Sequence, residues 1–383
     1  MFEKILVAAR GEAALRVMRT CREMGVATVA VYVAGEEGAS FVRYADEAVC
    51  VGPALPDADY LNEANVISAA LVTGAQAVHP GWGSLAKSPS FSRSCAENGL
   101  VFVGPDADAL AFLGDGDSLR ALAMRYGIPV LSSGDTSRRR RVVVPVLVDR
   151  SGSRLPLCEM HASVSRGNRV LVGESPASFL SDESRRSLGV MAQKLLRTMG
   201  YEGLAFVSFL VDAAGDSCLE DVQPWLHAAH SVVEAASGID LVREQLLIAA
   251  GEDATCMGLV PFSRIRFSLG FCVCAEDSRR GFSPSTGTID SLTVPAGPGI
   301  RWDGWVGPGT RVDSSTGVQM GHLVAAGATR REAISRGRRG LAECSVGGVQ
   351  TTIPFHQRIV GNAAYNREDV YTDFLESEMG DLQ

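Results

Sequence analysis

The chain has 383 residues, which is enough for two or three domains with substantial cores. Its net charge of −8 argues against binding through a general basic surface, so we expect no nucleic-acid partner. No apolar run reaches about 18 residues without a charge, so we expect no membrane span.

The cysteines are scattered, and no secretory signal is visible at the first residues of the sequence. Cys272 and Cys274 form a C-x-C pair in an apolar run, but no second pair completes a zinc set. We therefore expect reduced cysteines, no metal site and a cytoplasmic location. Lysine occurs only at positions 4, 87 and 194, which leaves few lysines to hold a triphosphate.

The N-terminal part alternates strand and helix patterns. Apolar runs predict strands over 4–9, 28–32, 48–51, 77–79 and 101–103, and amphipathic spacing predicts helices over 10–24 and 62–70. A glycine-rich turn, Gly81-Trp82-Gly83, follows the fourth strand. This alternation predicts a doubly wound α/β domain.

The stretch from Ser208 to His230 is central to the interpretation. It predicts two strands around a turn, because an apolar run precedes the turn residues 212–215 and a second strand-like run begins at Ser217. Helices are predicted over 180–199 and from near Ile239. Beyond Gly251 the composition shifts, and a strand-rich domain begins at Arg264. Residues 376–383 are expected to form a frayed acidic tail.

Several of these runs resemble the biotin carboxylase family, the ATP-grasp subunits of acyl-CoA and pyruvate carboxylases. Family members begin close to KILIANRGEIALRI and carry HPGYGFLSEN and GFIFIGP, where this chain has KILVAARGEAALRV, HPGWGSLAKS and GLVFVGP. The final GVQTTIPF resembles the family's GVKTNIPF. The resemblance covers nearly the whole chain in the family's order. It implies an N-terminal doubly wound α/β domain, an ATP-grasp central domain and a strand-rich C-terminal domain.

The same resemblance implies that the glycine-rich lid of the family is deleted in this chain. The run after Ile128 passes through a short basic stretch directly into Val142-Val-Val-Pro, which matches the family's post-lid strand. We therefore predict an N-terminal domain at 1–115, a linker at 116–141, a truncated ATP-grasp domain at 142–260 and a C-terminal domain at 261–383. The arginines at 138–141 could bind an anion, although a solvated loop is the simpler interpretation.

The resemblance also implies that most of the carboxylation chemistry is missing. One of the family's two metal-binding acids matches Glu220, but the other position holds Ser208, and the phosphate lysine is replaced by Gly116. Arg301 matches the family's arginine in the biotin and bicarbonate pocket. ATP-dependent carboxylation needs metal, cations and a closed lid together. We therefore expect no carboxylase activity and no cofactor.

The remaining ionisable and aromatic residues suit a small organic molecule with an anionic end better than a nucleotide. We hypothesise catalytic roles for Glu220, His230, His161 and Arg301. We hypothesise substrate-binding roles for Trp225, Trp302, Asp221, Gln223, His227, Glu159 and Arg169. Each could instead be structural, with the histidines hydrogen-bonded in a core and Glu220 paired with a nearby arginine.

Two functions remain open at this point. In the first, the cleft is repurposed to transform a small organic molecule in specialised metabolism, without ATP, metal or biotin. In the second, the chain is a non-catalytic partner of an active carboxylase. Arg19 and Glu23 match family residues of a homodimer interface, and Arg330 lies in a region that contributes to it. We therefore predict a homodimer, which is compatible with both functions.

Overall fold

The computed structural model describes residues 1–53, 62–131, 136–253, 258–313 and 318–380. Over these ranges the chain forms a parallel sheet, a large antiparallel sheet and three two-stranded sheets. This mixed α/β architecture with a strand-rich C-terminal part confirms the predicted fold class. Within the same ranges, no helix combines the length and the apolar character that crossing a membrane requires.

The N-terminal part alternates strands with helices. Its elements are β1 (Lys4–Val7), α1 (Gly11–Glu23), β2 (Ala27–Val33), α2 (Ser40–Tyr44), β3 (Glu47–Gly52), α3 (Glu63–Thr73), β4 (Ala77–His79), α4 (Pro89–Glu97), β5 (Val101–Phe102), α5 (Ala107–Gly114) and α6 (Gly116–Arg125). The parallel strands lie in the order β3-β2-β1-β4-β5. The order reverses between β1 and β4, and open α/β sheets bind ligands at the carboxyl ends of such strands. The runs that begin at Arg10 and Gly81 lie there.

The central part supplies most of the large sheet. Its elements are β6 (Arg140–Val148), β7 (Arg154–Pro156), β8 (Met160–Arg166), β9 (Arg169–Ser175), α7 (Asp182–Thr198), β10 (Gly203–Val211), β11 (Ser217–Gln223), α8 (His230–Ser237) and α9 (Leu241–Ala249). The predicted hairpin is confirmed: β10 and β11 pair antiparallel, and the Asp212 amide donates to the Asp216 carbonyl across the turn at 2.9 Å. Every residue of β10 is buried, as its continuous apolar run indicates.

The C-terminal part continues the same sheet. Its elements are β12 (Phe267–Cys274), β13 (Glu276–Asp277), β14 (Ser283–Pro284), β15 (Gly287–Thr288), β16 (Ser291–Thr293), β17 (Ile300–Gly304), β18 (Arg311–Val312), β19 (Gln319–Gly327), α10 (Arg330–Glu343), β20 (Ser345–Gly347), α11 (Ile353–Gly361), α12 (Ala363–Asn366) and α13 (Phe374–Glu378). The large sheet runs β11-β10-β6-β8-β9-β12-β19-β17, and β7 pairs with β6. The β9–β12 pairing crosses the predicted boundary at 260/261, so that boundary divides one sheet.

Three local predictions differ from the structure. The segment 116–141 begins with α6 and ends with the first two residues of β6, so Arg140 and Arg141 are half-buried strand residues rather than a solvated loop. An additional helix, α8, precedes the predicted one; its apolar positions and the left-handed Gly238 after it are the sequence signals for it. The acidic tail is packed as far as Met379, because Phe374 and Met379 are buried.

Candidate functional site

An ionic cluster joins α1, α8 and β17, and we call it the Glu234 cluster. It consists of Arg16, Glu234, Asp240, Arg301 and Asp303. The Glu234 carboxylate lies between two guanidiniums, at 2.6 Å from Arg16 Nη2 and 2.8 Å from Arg301 Nη2. Arg301 also donates from Nε to Asp303 Oδ1 at 2.9 Å. One buried carboxylate therefore links the N-terminal, central and C-terminal parts of the chain.

At Glu234, the ion pairs lower the pKa of the carboxyl by more than burial raises it. Burial alone would raise the pKa of this carboxyl, but the neighbouring Arg16, His230 and Arg301 lower its pKa to about 2. Arg301 likewise lowers the pKa of Asp303 against the effect of burial. Both carboxylates are therefore ionised at neutral pH, and they are committed to holding the cluster together.

His230 is the first residue of α8 and is fully buried. Its Nδ1 lies 3.0 Å from the His227 carbonyl, and its Nε2 lies 4.0 Å from Glu234 without a hydrogen-bond partner. Burial lowers the pKa of His230, and the half-buried Trp82 ring packs 5.2 Å from it. The structure therefore brings His230 and Arg301 to the same carboxylate, but His230 is a neutral core residue there.

Glu220 lies at a β-bulge in the hairpin. Ser208 pairs with Asp221 and Phe209 pairs with Leu219, so Glu220 has no partner in the register. Its carboxylate accepts two hydrogen bonds from Arg141, from Nε at 2.7 Å and from Nη2 at 2.6 Å. This parallel pair of charge-assisted bonds is the strongest geometry that an arginine and a carboxylate adopt. A structural ion pair between Glu220 and a nearby arginine, one of the two alternatives from the sequence, is therefore the arrangement observed.

His227 lies between the Arg141–Glu220 pair and the Glu234 cluster. It is buried, its Nδ1 accepts a hydrogen bond from the Ala229 amide at 3.0 Å, and its ring packs on Phe206. Burial, together with the smaller effects of His230, His322 and Arg141, lowers the pKa of His227 to about 3. His227 is therefore a neutral core residue at neutral pH.

His161 and Glu159 belong to other contacts. His161 Nε2 lies 2.7 Å from Ser163 Oγ, its ring packs on Phe179, and burial lowers its pKa to about 4. Glu159 is fully buried and accepts from Arg185 Nε at 2.8 Å. Neither side chain hydrogen-bonds to a member of the Glu234 cluster among the described residues. The structure therefore does not assemble the predicted catalytic set into one site.

The remaining predicted binding residues are dispersed or already paired. Arg169 forms an ion pair with Glu276 at 2.6 Å. Trp302 follows Arg301 in β17, so the two side chains point to opposite faces of the sheet, and the Trp302 ring packs over Gly304. Burial raises the pKa of Asp221. Asp221, Gln223, Trp225 and Trp302 are half-buried, as are Arg169 and Arg301.

The three predicted interface residues differ in their exposure and in their contacts within the chain. On α1, Arg19 is half-buried and Glu23 is exposed. Arg330 is used inside the chain: it donates to both Glu174 oxygens at 2.7 and 2.9 Å, and to the Tyr365 carbonyl. Its side chain is only 12% exposed. The placement of Arg330 therefore argues against the predicted interface role, whereas α1 leaves Glu23 available.

Several of these contacts were missed from the sequence. Arg16 lies in the run RGEAALR, and the missed Glu234 follows the predicted His230 by four residues, a spacing that brings both side chains to one helix face. Glu12 accepts from His322 Nδ1 at 2.7 Å, a contact between residues far apart in sequence. Within the described ranges, no group of three or more metal-ligating side chains is arranged to hold an ion.

The comparisons with known proteins agree with this fold. Three family models match in chain order: the biotin carboxylase N-terminal domain over residues 1–110, the ATP binding domain of the carbamoyl-phosphate synthase L chain over 135–256, and the biotin carboxylase C-terminal domain over 271–377. These matches define an ATP-grasp type of architecture. The chain belongs to the biotin carboxylase family.

Individual relatives match over almost their full length. Biotin carboxylase 1 of Bacillus subtilis is 30% identical over 98% of this chain and 99% of that protein. The biotin carboxylase of Haemophilus influenzae is 30% identical over 99% of this chain and 99% of its own length. Among solved structures, the biotin carboxylase domain of a thermophilic 2-oxoglutarate carboxylase bound to bicarbonate has a TM-score of 0.95 at 28% identity, and the match covers 100% of this chain and 99% of that one.

Proposed function

We propose that this chain is a biotin-carboxylase-like protein that has lost ATP-dependent carboxylation and serves as a non-catalytic partner in a carboxylase assembly. The observation that carries the proposal is the Arg141–Glu220 pair. Glu220 is the acid that the resemblance assigns to the family's metal site, and both of its oxygens accept from a guanidinium. An arginine thus supplies the positive charge that a magnesium ion would bring. A divalent cation would have to displace that guanidinium before it could bind.

The sequence around this pair supports the same loss. The position that the resemblance assigns to the second acid holds Ser208, whose partner in the hairpin register is Asp221. The alignment with the Bacillus relative spans 452 positions, which exceeds the 383 residues of this chain by 69. No family model matches between residues 110 and 135. A missing segment of this size before β6 is consistent with the predicted deletion of the lid.

A partner role requires that the frame of the fold survive without its chemistry. The Glu234 cluster connects the three parts of the chain with buried ion pairs, and β9 and β12 join the central and C-terminal parts. Glu23 remains exposed on α1. Some relatives are named as components of larger carboxylases, including the biotin-dependent acyl-coenzyme A carboxylase alpha3 subunit of Mycobacterium leprae. These features support assembly with carboxylase components.

The test has two arms. In the first, the chain is incubated with magnesium, ATP, bicarbonate and free biotin, with the Bacillus subtilis biotin carboxylase 1 as the positive control; we expect no biotin-dependent release of ADP. In the second, the chain is mixed with purified carboxylase subunits encoded in its own genome and analysed by light scattering after size exclusion; we expect a complex of defined mass. Turnover in the first arm contradicts the loss of activity, and separate elution in the second contradicts the partner role.

A second candidate function is the binding of a carboxylate-bearing organic molecule at Arg301. The Arg301 side chain is 35% exposed, and its Nη1 has no hydrogen-bond partner among the described residues. Such a group can still anchor an external anion. A panel of small organic acids is screened by thermal shift against the native chain and Arg301→Lys, which keeps the charge but loses Nη1. A rise in melting temperature that the variant loses supports binding, and equal responses reject it.

A further inference from the structure

A groove follows the outer face of α7, away from the Glu234 cluster. Two adjoining cavities of about 530 and 580 Å³ lie along it and share Val190 and Gln193 in their walls. Arg186, Val190, Lys194 and Arg197 line it at spacings of three or four residues, so they occupy one face of the helix. At about 1.5 Å per residue, this stripe is roughly 16 Å long.

The charge of the groove is opposite to that of the whole chain. Its cationic side chains are Arg154, Arg185, Arg186, Lys194, Arg197 and Arg264, and the one acid in its walls is Asp182. Asp182 is paired with Arg185, which also binds the buried Glu159. By contrast, the other α7 cations and Arg264 form no ion pair in the part of the chain that the structure describes. A chain of net charge −8 therefore presents a concentrated, uncompensated positive surface here.

The cations of the stripe are not required to hold α7 in place. The opposite face of the helix buries Leu188, Ala192, Leu195 and Leu196 in the core of the central part. Val190 is 61% exposed in the middle of the stripe, with Arg186 one turn before it and Lys194 one turn after it. An apolar contact flanked by unpaired cations is the pattern that recognises an acidic segment with an apolar anchor.

We propose that this α7 groove binds an acidic peptide segment of a partner protein. Its carboxylates lie against Arg186, Lys194 and Arg197, and an apolar side chain packs on Val190. The exposed Val190 side chain in the middle of the stripe offers no partner to a sugar-phosphate backbone, and a flat bilayer does not reach into concave cavities. This inference is independent of whether the family's active site retains any function, because the groove shares no residue with the Glu234 cluster or the Arg141–Glu220 pair.

The test uses a fluorescein-labelled peptide of Glu and Asp with a central leucine, and fluorescence anisotropy at low and high salt. The native chain is compared with a triple variant, Arg186→Glu, Lys194→Glu and Arg197→Glu. A matched control, Arg279→Glu, Arg280→Glu and Arg331→Glu, changes the net charge equally at exposed positions elsewhere. We expect the groove variant to bind at least about tenfold more weakly and the control to bind like the native chain.

Further variants and probes separate the alternatives. A second triple variant replaces the three groove cations with Gln; it should also weaken binding, and it removes the positive charges without introducing repulsion that could harm the fold. Val190→Ser should weaken binding without changing its salt dependence. Equal weakening in the control variant, or no binding by the native chain, overturns the proposal. If single-stranded DNA or phosphatidylserine vesicles bind more tightly than the acidic peptide, and the groove variant loses that binding, the groove belongs to a nucleic acid or a membrane. This outcome also overturns the proposal.

Discussion

At the residue scale, Glu234 shows how one buried carboxylate stabilises the contact between three parts of the chain. A carboxylate in a core is costly unless it is paired, and Glu234 has a guanidinium on each side. The same contacts engage Nε and Nη2 of Arg301, so this arginine contributes to the stability of the fold.

Replacing Glu234 with Gln should strongly destabilise the protein. It removes the carboxylate between Arg16 and Arg301, so that each guanidinium keeps one acidic partner, Asp240 or Asp303. Breaking a buried pair costs on the order of 3–5 kcal/mol. Thermal unfolding measures the loss. The control is Glu343→Gln, which removes an exposed pair with Arg339 worth no more than about 0.5 kcal/mol. Equal melting temperatures for the two variants would show that the Glu234 cluster is not structural.

The pKa of Glu234 predicts how the free energy of unfolding changes at acidic pH. The pKa of Glu234 in the folded chain, about 2, is lower than its ordinary value of 4.5. The unfolded state therefore binds the proton first, so the stabilisation is complete above about pH 4.5 and is lost as the pH falls towards 2. Denaturant titrations between these pH values should show a steeper loss of stability in the native chain than in Glu234→Gln. If the free energy of unfolding falls equally steeply with pH in both proteins, Glu234 does not carry this pH dependence.

At the element scale, the C-terminal segment holds the link that precedes β6. The guanidinium carbons of Arg138 and Arg140 each lie 4.7 Å from the centroid of the Tyr371 ring. The Thr372 amide donates to the Arg139 carbonyl at 2.8 Å. The start of β6, and with it Arg141, is thus positioned by residues more than 200 positions later in the chain.

Removing the Tyr371 ring should loosen this link. Cation–π contacts are each worth about 0.5–1 kcal/mol at partly exposed sites, so Tyr371→Ala should raise the rate of trypsin cleavage after Arg138 to Arg140 several-fold. Tyr371→Phe keeps the ring and should cleave like the native chain. Mass spectrometry of the early fragments identifies the sites. Unchanged cleavage in Tyr371→Ala would mean that the ring does not hold the link.

The elements also show what the sequence could predict. The strands of the N-terminal part and the β10–β11 hairpin follow from local apolar patterns, and family-like runs placed the C-terminal strands. An ion pair of Glu220 with an arginine was one alternative from the sequence, but Arg141 could not be identified as the partner, because the contact depends on a bulge and joins residues 79 positions apart. For the same reason, His161 and His230 looked equivalent in sequence but lie in different surroundings.

At the scale of the whole molecule, the central and C-terminal parts form one sheet, and buried ion pairs attach the N-terminal part to it. Such a frame can present a family-like assembly surface without any turnover. The exposed Glu23 and half-buried Arg19 on α1 remain candidates for that surface, whereas Arg330 is committed to Glu174.

We predict a homodimer in solution through the α1 surface. Light scattering coupled to size exclusion should give twice the chain mass of 40.5 kDa. The variant Arg19→Glu reverses one charge of the predicted interface and should shift the population towards the monomer, because two-fold symmetry repeats the change on both copies. Elution of the native chain as a monomer at micromolar concentration would show that the interface is absent.

The most direct test of the central claim is calorimetric titration of the chain with ATP and magnesium. We expect no saturable binding up to about 1 mM ATP, because Arg141 engages Glu220, which the resemblance assigns to the metal site, and Gly116 stands where the resemblance expects the phosphate-binding lysine. The Bacillus subtilis biotin carboxylase 1 serves as the positive control under the same conditions. A dissociation constant in the low micromolar range, with a stoichiometry near one per chain, would contradict the account.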